Sequence, residues 1–174
     1  MGEHGAEAPG RPPHWPRAVI VLVVLCVTTL VARLAGMLGC QPLASWPAAV
    51  RVGLAAMFLF TAVAHFNAMR HDLARMMPPG IPSPMGMVYF TGLCEIAGAI
   101  GLLVPRTRPV AAWALIVLLL AILPANVHAA RAGLTLGGKP VTAVAPRIAI
   151  QVVFIGLVWW SGVRAGGDRL SSGA

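Results

Sequence analysis

Five long apolar runs alternate with short polar stretches along this chain, over residues 18–38, 48–66, 85–105, 110–129 and 146–163. Each holds roughly 18 to 21 residues, enough for a helix to cross a hydrocarbon core about 30 Å thick. In the third run the small and polar residues are ordered. Read as a helix, it puts Val88, Thr91, Gly92, Glu95, Gly98, Ala99 and Leu102 on one face, with Leu93, Ile96, Ile100 and Leu103 mostly elsewhere. A face of that kind lets a helix approach its neighbours closely and carry an acid among them. The pattern predicts an all-α polytopic membrane protein: a four-helix transmembrane bundle over 48–163, preceded by one additional N-terminal transmembrane helix at 18–38. That first run is too long for a signal-peptide core and lacks a small-residue cleavage signature, so it is expected to stay as an anchor.

The stretches between the runs are less uniform. Residues 1–17 contain Pro9, Pro12 and Pro13 with no apolar period, and read as a disordered polar tail; 164–174 form a polar C-terminal tail. Gln41 to Pro47 is a turn with Trp46 at an interface. In 67–84, Pro78, Pro79, Pro82 and Pro84 forbid a regular helix, which predicts a short interfacial helix followed by an extended cap. Pro105 to Pro109 is a tight basic turn. Pro124 predicts a kink in the fourth run, and 131–145 is polar and Gly-rich.

Composition agrees with the pattern. Hydrophobic residues make up 58% of the 174 and charged residues 10%, outside the soluble globular range. The net charge of +8 comes from 13 Lys and Arg against five acids. In a soluble chain such an excess suggests nucleic acid; here the basic residues stand singly at the ends of apolar runs, without interleaved aromatics, and suit lipid headgroups. The expected partner is therefore the bilayer and not nucleic acid. For an N-terminal tail on the side of the second and fourth inter-helix loops, that side carries seven basic residues and the other six. The compact Arg106–Arg108 turn is expected on the cytoplasmic side.

Candidate chemistry is sparse. Cys26, Cys40 and Cys94 make neither a C-x-x-C pair nor a zinc spacing, and a thiol in apolar surroundings is inert. Met76, Met77, Met85 and Met87 lie near His71 and have the softness for Cu(I), but they form no regular array and also serve to pad an interfacial segment, so no metal site is assigned. There is no phosphate loop, nucleophile–base spacing or haem motif. The chain is expected to be a non-catalytic subunit rather than a stand-alone enzyme.

Glu95 is the strongest single signal. A carboxylate near the bilayer centre points to a proton relay, an ion site or a quinone contact; the competing reading is an acid that glues helices, with Gln151 or Thr91 as partner. His65 and His128, at the ends of their spans, are candidates to pass protons to it. Helix order places His65, Asn126, His128, Arg147 and Gln151 in one leaflet, with Glu95 about 15 Å deeper than Met85 at 1.5 Å per residue. Arg147 suits an anionic headgroup or a carboxylate, and Asn126 suits a carbonyl freed by Pro124.

Taken in order, these features resemble the DoxX-like family of small bacterial membrane proteins over about residues 48–163: Arg51-Val52-Gly53 opening a span that ends in His65-Phe66; Met77-Pro78 and Ile81-Pro82; Tyr89, Gly92 and Glu95; Pro105-Arg106-Thr107-Arg108; Pro124-Ala125-Asn126-Val127-His128; and Arg147 with Gln151. The resemblance implies a four-helix bundle in the plasma membrane and a link to quinone- or thiol-dependent redox chemistry. The expectation is a multi-pass membrane subunit of a redox protein partner, able to form a homodimer. It would have no intrinsic cofactor but would hold a quinone, with Glu95, His65 and His128 handling protons and Tyr89, Asn126, Arg147 and Gln151 contacting the ligand. The alternatives are a structural or assembly protein without chemistry of its own, and a small proton-coupled transporter of a lipophilic solute.

Overall fold

The computed structural model describes residues 17–141 and 143–165, so the two tails lie almost wholly outside the described residues. The chain is a helical bundle: α1 (Arg17–Met37), α2 (Trp46–Phe66), the short α3 (Arg70–Arg75), α4 (Pro84–Leu103), α5 (Arg108–Arg131) and α6 (Val144–Val158), the last continued by a π-helical turn over Trp159–Arg164. Five of these are long and apolar enough to cross a membrane, and their bounds fall within two residues of the apolar runs. The protein is a multi-pass, all-α membrane bundle.

Local chemistry sets the helix starts. Ser45 caps α2, its Oγ accepting the Ala48 N–H at 3.4 Å, and Pro47 lies in the first turn. Pro84 opens α4, where its missing N–H removes no helical bond. The expected short helix in 67–84 is α3. One feature was not expected: the Gly-rich 131–145 stretch holds a small hairpin, β1 (Thr135–Leu136) against β2 (Lys139–Pro140), turned by Gly137 and Gly138 at φ 57° and 74°. Both turn residues need positive φ, which glycine adopts without steric cost.

Lipid tails are as apolar as leucine, so close packing must hold the helices together. The buried side of α4 is the face read from the sequence, with Gly101 added: Val88, Thr91, Gly92, Glu95, Gly98, Ala99 and Leu102. A Cβ on Gly98 would run into the Leu115 side chain of α5, and one on Gly101 would stand 2.6 Å from the Ala111 Cβ. Gly162 meets Ala112 in the same way at 2.6 Å. These contacts surround a core of Leu54, Met57, Leu102, Leu115 and Val158. Outside it, α1 packs on α2, where Gly53 accommodates Thr29 and Leu25, and Arg33 lies over the Trp46 ring at 5.4 Å from its centroid.

Pro124 does not interrupt α5, which runs unbroken from Arg108 to Arg131. The carbonyl it deprives of a donor is that of Leu120, and Asn126 has a different partner. Its Oδ1 accepts a hydrogen bond from Arg147 Nη1 at 2.6 Å, tying α5 to the start of α6.

Candidate functional site

Glu95 is buried, at 7% exposure. Its partners come from α2, which crosses α4 antiparallel and offers two side chains one turn apart. Thr61 Oγ1 lies 2.9 Å from Glu95 Oε2, and His65 Nε2 lies 3.6 Å from Oε1. Neither expected partner fills this place. Gln151 donates its amide to the Leu119 carbonyl of α5, and the Thr91 hydroxyl bonds back to the Met87 and Val88 carbonyls of its own helix at 2.9 and 3.0 Å. The reason is geometric: Gln151 on α6 faces α5, while the face of α4 that carries the acid is covered by α2.

The bond His65 makes to the backbone orients its ring. Its Nδ1 is 2.7 Å from the Val88 carbonyl oxygen. A carbonyl only accepts, so Nδ1 carries a hydrogen and donates it. In a neutral ring Nε2 then carries no hydrogen and is free to accept a proton on the side that faces Glu95. At 3.6 Å the two atoms are beyond direct hydrogen-bond range. Gly92 holds the ring in position, since a Cβ there would be 2.6 Å from the His65 Cβ.

Thr61, His65 and Glu95 form the polar patch of a cavity of about 420 Å³, in the range of small-molecule sites. The rest of the lining is mainly apolar. Ile20 and Val21 come from α1, Phe60, Val63 and Ala64 from α2, and Ile122 and Ala125 from α5. At one end the cavity is covered by Met69, Leu73, Met76 and Met77 of the α3 segment and by Leu136 and Lys139 of the hairpin. These two covers are joined: the Gly137 N–H donates to Asp72 Oδ2 at 2.6 Å, and Asp72 also pairs with Arg75.

Of the residues singled out from the sequence, Glu95, His65 and Asn126 line this cavity. His128 does not; it lies in the last turn of α5, its carbonyl accepting from Ala132. Tyr89 stacks on Phe66 at 6.0 Å between ring centroids, on the outer side of α4, where it is 39% exposed. Arg147 and Gln151 brace α6 against α5 and are not among the lining residues. The methionine cluster separates: Met76 and Met77 cover the cavity, while Met85 and Met87 do not line it. Among the described residues no group of three His, Cys, Asp or Glu side chains is arranged to hold a metal ion. Thr61 was missed, although it stands four residues before His65 and so shares its helix face.

No curated protein and no solved structure matches the sequence. The model of one family, described as a domain of unknown function (DUF8561), matches residues 54–162, from the middle of α2 to the π-helical turn. The match takes in α4 and α5 together with Thr61, His65 and Glu95, and covers more than half of the chain, which therefore belongs to the DUF8561 family.

Proposed function

We propose that this chain is a DoxX-like subunit of the plasma membrane that holds a quinone for a redox protein partner, with Glu95 and His65 managing the quinone's protons. One observation carries the reading: a carboxyl and an imidazole 3.6 Å apart lie at the wall of a mainly apolar cavity of about 420 Å³, within the membrane-spanning part of the bundle. Reduction of a quinone to its quinol places two electrons and two protons on the ring oxygens. The partner supplies the electrons. The pair gives a proton to one ring oxygen and is reprotonated from the lid side, then repeats the transfer at the other. Thr61 stands beside the acid with a hydroxyl that can donate either to Glu95 or to the Phe58 carbonyl, at 2.9 and 3.0 Å, so it can follow the charge as the proton moves.

The test is the Glu95 carboxyl band in nanodiscs, isolated by difference infrared spectroscopy against Glu95→Gln. The band is expected to shift when quinone is added, and the partnered complex is expected to lose turnover in Glu95→Gln while insertion and folding persist. A band indifferent to quinone, or undiminished turnover, sinks the reading.

A structural role has its own supporting observation, since both Glu95 oxygens are engaged by α2 and so tie α2 to α4. On that reading Glu95→Gln lowers the melting temperature and moves nothing else.

A further inference from the structure

Three of the cavity-lining residues are also exposed on the outer surface: Ile20 at 38%, Phe60 at 47% and Val63 at 57%. All three are apolar, and all three belong to membrane-spanning helices, Ile20 to α1 and the others to α2. Phe60 stands six residues before the end of α2, about 9 Å into the span at 1.5 Å per residue. The residues that cover the cavity at the lid are buried or half-buried instead: Met69, Leu73, Met76, Met77, Leu136 and Lys139. There the Asp72–Gly137 bond holds the cover in place. So the most exposed of the lining residues are apolar and lie in membrane-spanning helices, while those of the α3 segment and the hairpin are more covered.

We infer that the ligand reaches this cavity from the lipid phase, through an apolar window edged by Ile20, Phe60 and Val63, and that its class is a long-tailed, membrane-dissolved isoprenoid quinone. The inference rests on the quinone reading above and narrows it. The ring sits against Thr61, His65 and Glu95, where its oxygens find hydrogen-bond partners. The tail leaves past Phe60 into the bilayer, so it stays in hydrocarbon in both the free and the bound state. A cavity open to water through the lid would instead accept a short-tailed quinone as readily as a long one.

The experiment narrows the window with Ile20→Trp combined with Phe60→Trp in the full chain in nanodiscs. The probes are a decaprenyl ubiquinone dissolved in the lipid and a monoprenyl ubiquinone added from water, both read by the shift of the Glu95 band. The double variant is expected to lose about ten-fold in affinity for the decaprenyl probe, the scale of one overpacking clash, and to lose clearly less for the monoprenyl probe. If the double variant does not fold, Val63→Trp narrows the same edge and is expected to give the same contrast. Equal loss of both probes, or loss of neither, overturns the window while leaving the quinone reading standing. If neither probe shifts the band in the unaltered chain, the quinone reading falls and the window falls with it.

Discussion

The two ends of the bundle are built on opposite plans. At the end formed by the start of α2, the start of α5 and the π-helical turn, side chains meet backbone at the closest spacing. Gly98, Gly101 and Gly162 receive Leu115, Ala111 and Ala112, and the buried Arg51 Nη1 donates to the Ser161 carbonyl at 2.6 Å. At the other end the same helices stand around a cavity of about 420 Å³ with an acid in its wall. The difference teaches where stability and chemistry are separated. A buried acid and an unfilled volume both weaken a bundle, and the closely packed half fixes the helix register that keeps Thr61, His65 and Glu95 together.

The contrast can be broken most severely at the packed end. Gly98→Leu forces a side chain into Leu115 and should cost about 3 kcal/mol or more, seen as loss of monodisperse protein and a lower melting temperature in detergent. The same change at Gly156, where a Cβ meets nothing within 4 Å, should leave melting nearly unchanged. Next comes the open end. Gly92→Ala pushes on His65 and should cost about 1–2 kcal/mol. Its distinguishing result is that the Glu95 infrared band stops responding to quinone while most of the protein remains folded. The smallest effect belongs to the lid. Asp72→Ala removes the acceptor for the Gly137 N–H and should loosen the hairpin locally by about 1–3 kcal/mol. Hydrogen exchange should then quicken over 134–140, with the global melting temperature unmoved. If Asp72→Ala instead lowers melting as much as Gly98→Leu, the ends are not independent.

Much of the fold was legible because the bilayer simplifies the code. Leu93, Ile100 and Leu103 face lipid on α4, so the few residues that are not large and apolar, Thr91, Gly92, Glu95 and Gly98, reveal the packed face by their spacing. The partners of Glu95 were not legible. Which of several polar side chains meets an acid depends on the axial register and rotation of α2 against α4, and neither leaves a trace in either helix alone. Gln151 was a reasonable expectation by depth and the wrong one by direction. The hairpin does leave a trace, because Gly137-Gly138 between Leu136 and Lys139 is a two-residue turn sequence, though strands of two residues are too short to show an alternating pattern. Pro124 is a strong local signal that leaves α5 helical on both sides of it, from Arg108 to Arg131.

The closeness of His65 and Glu95 has a consequence for membrane voltage. On the proposed reading a proton passing between Nε2 and Oε1 stays within the pair, so an applied potential acts on that transfer only through the proton's own short displacement. Even a path along the membrane normal moves it over 3.6 Å, against a hydrocarbon thickness of about 30 Å. The work is then roughly 0.3 kcal/mol at 100 mV, less than thermal energy. A transfer this short runs almost equally well in an energised and a de-energised membrane.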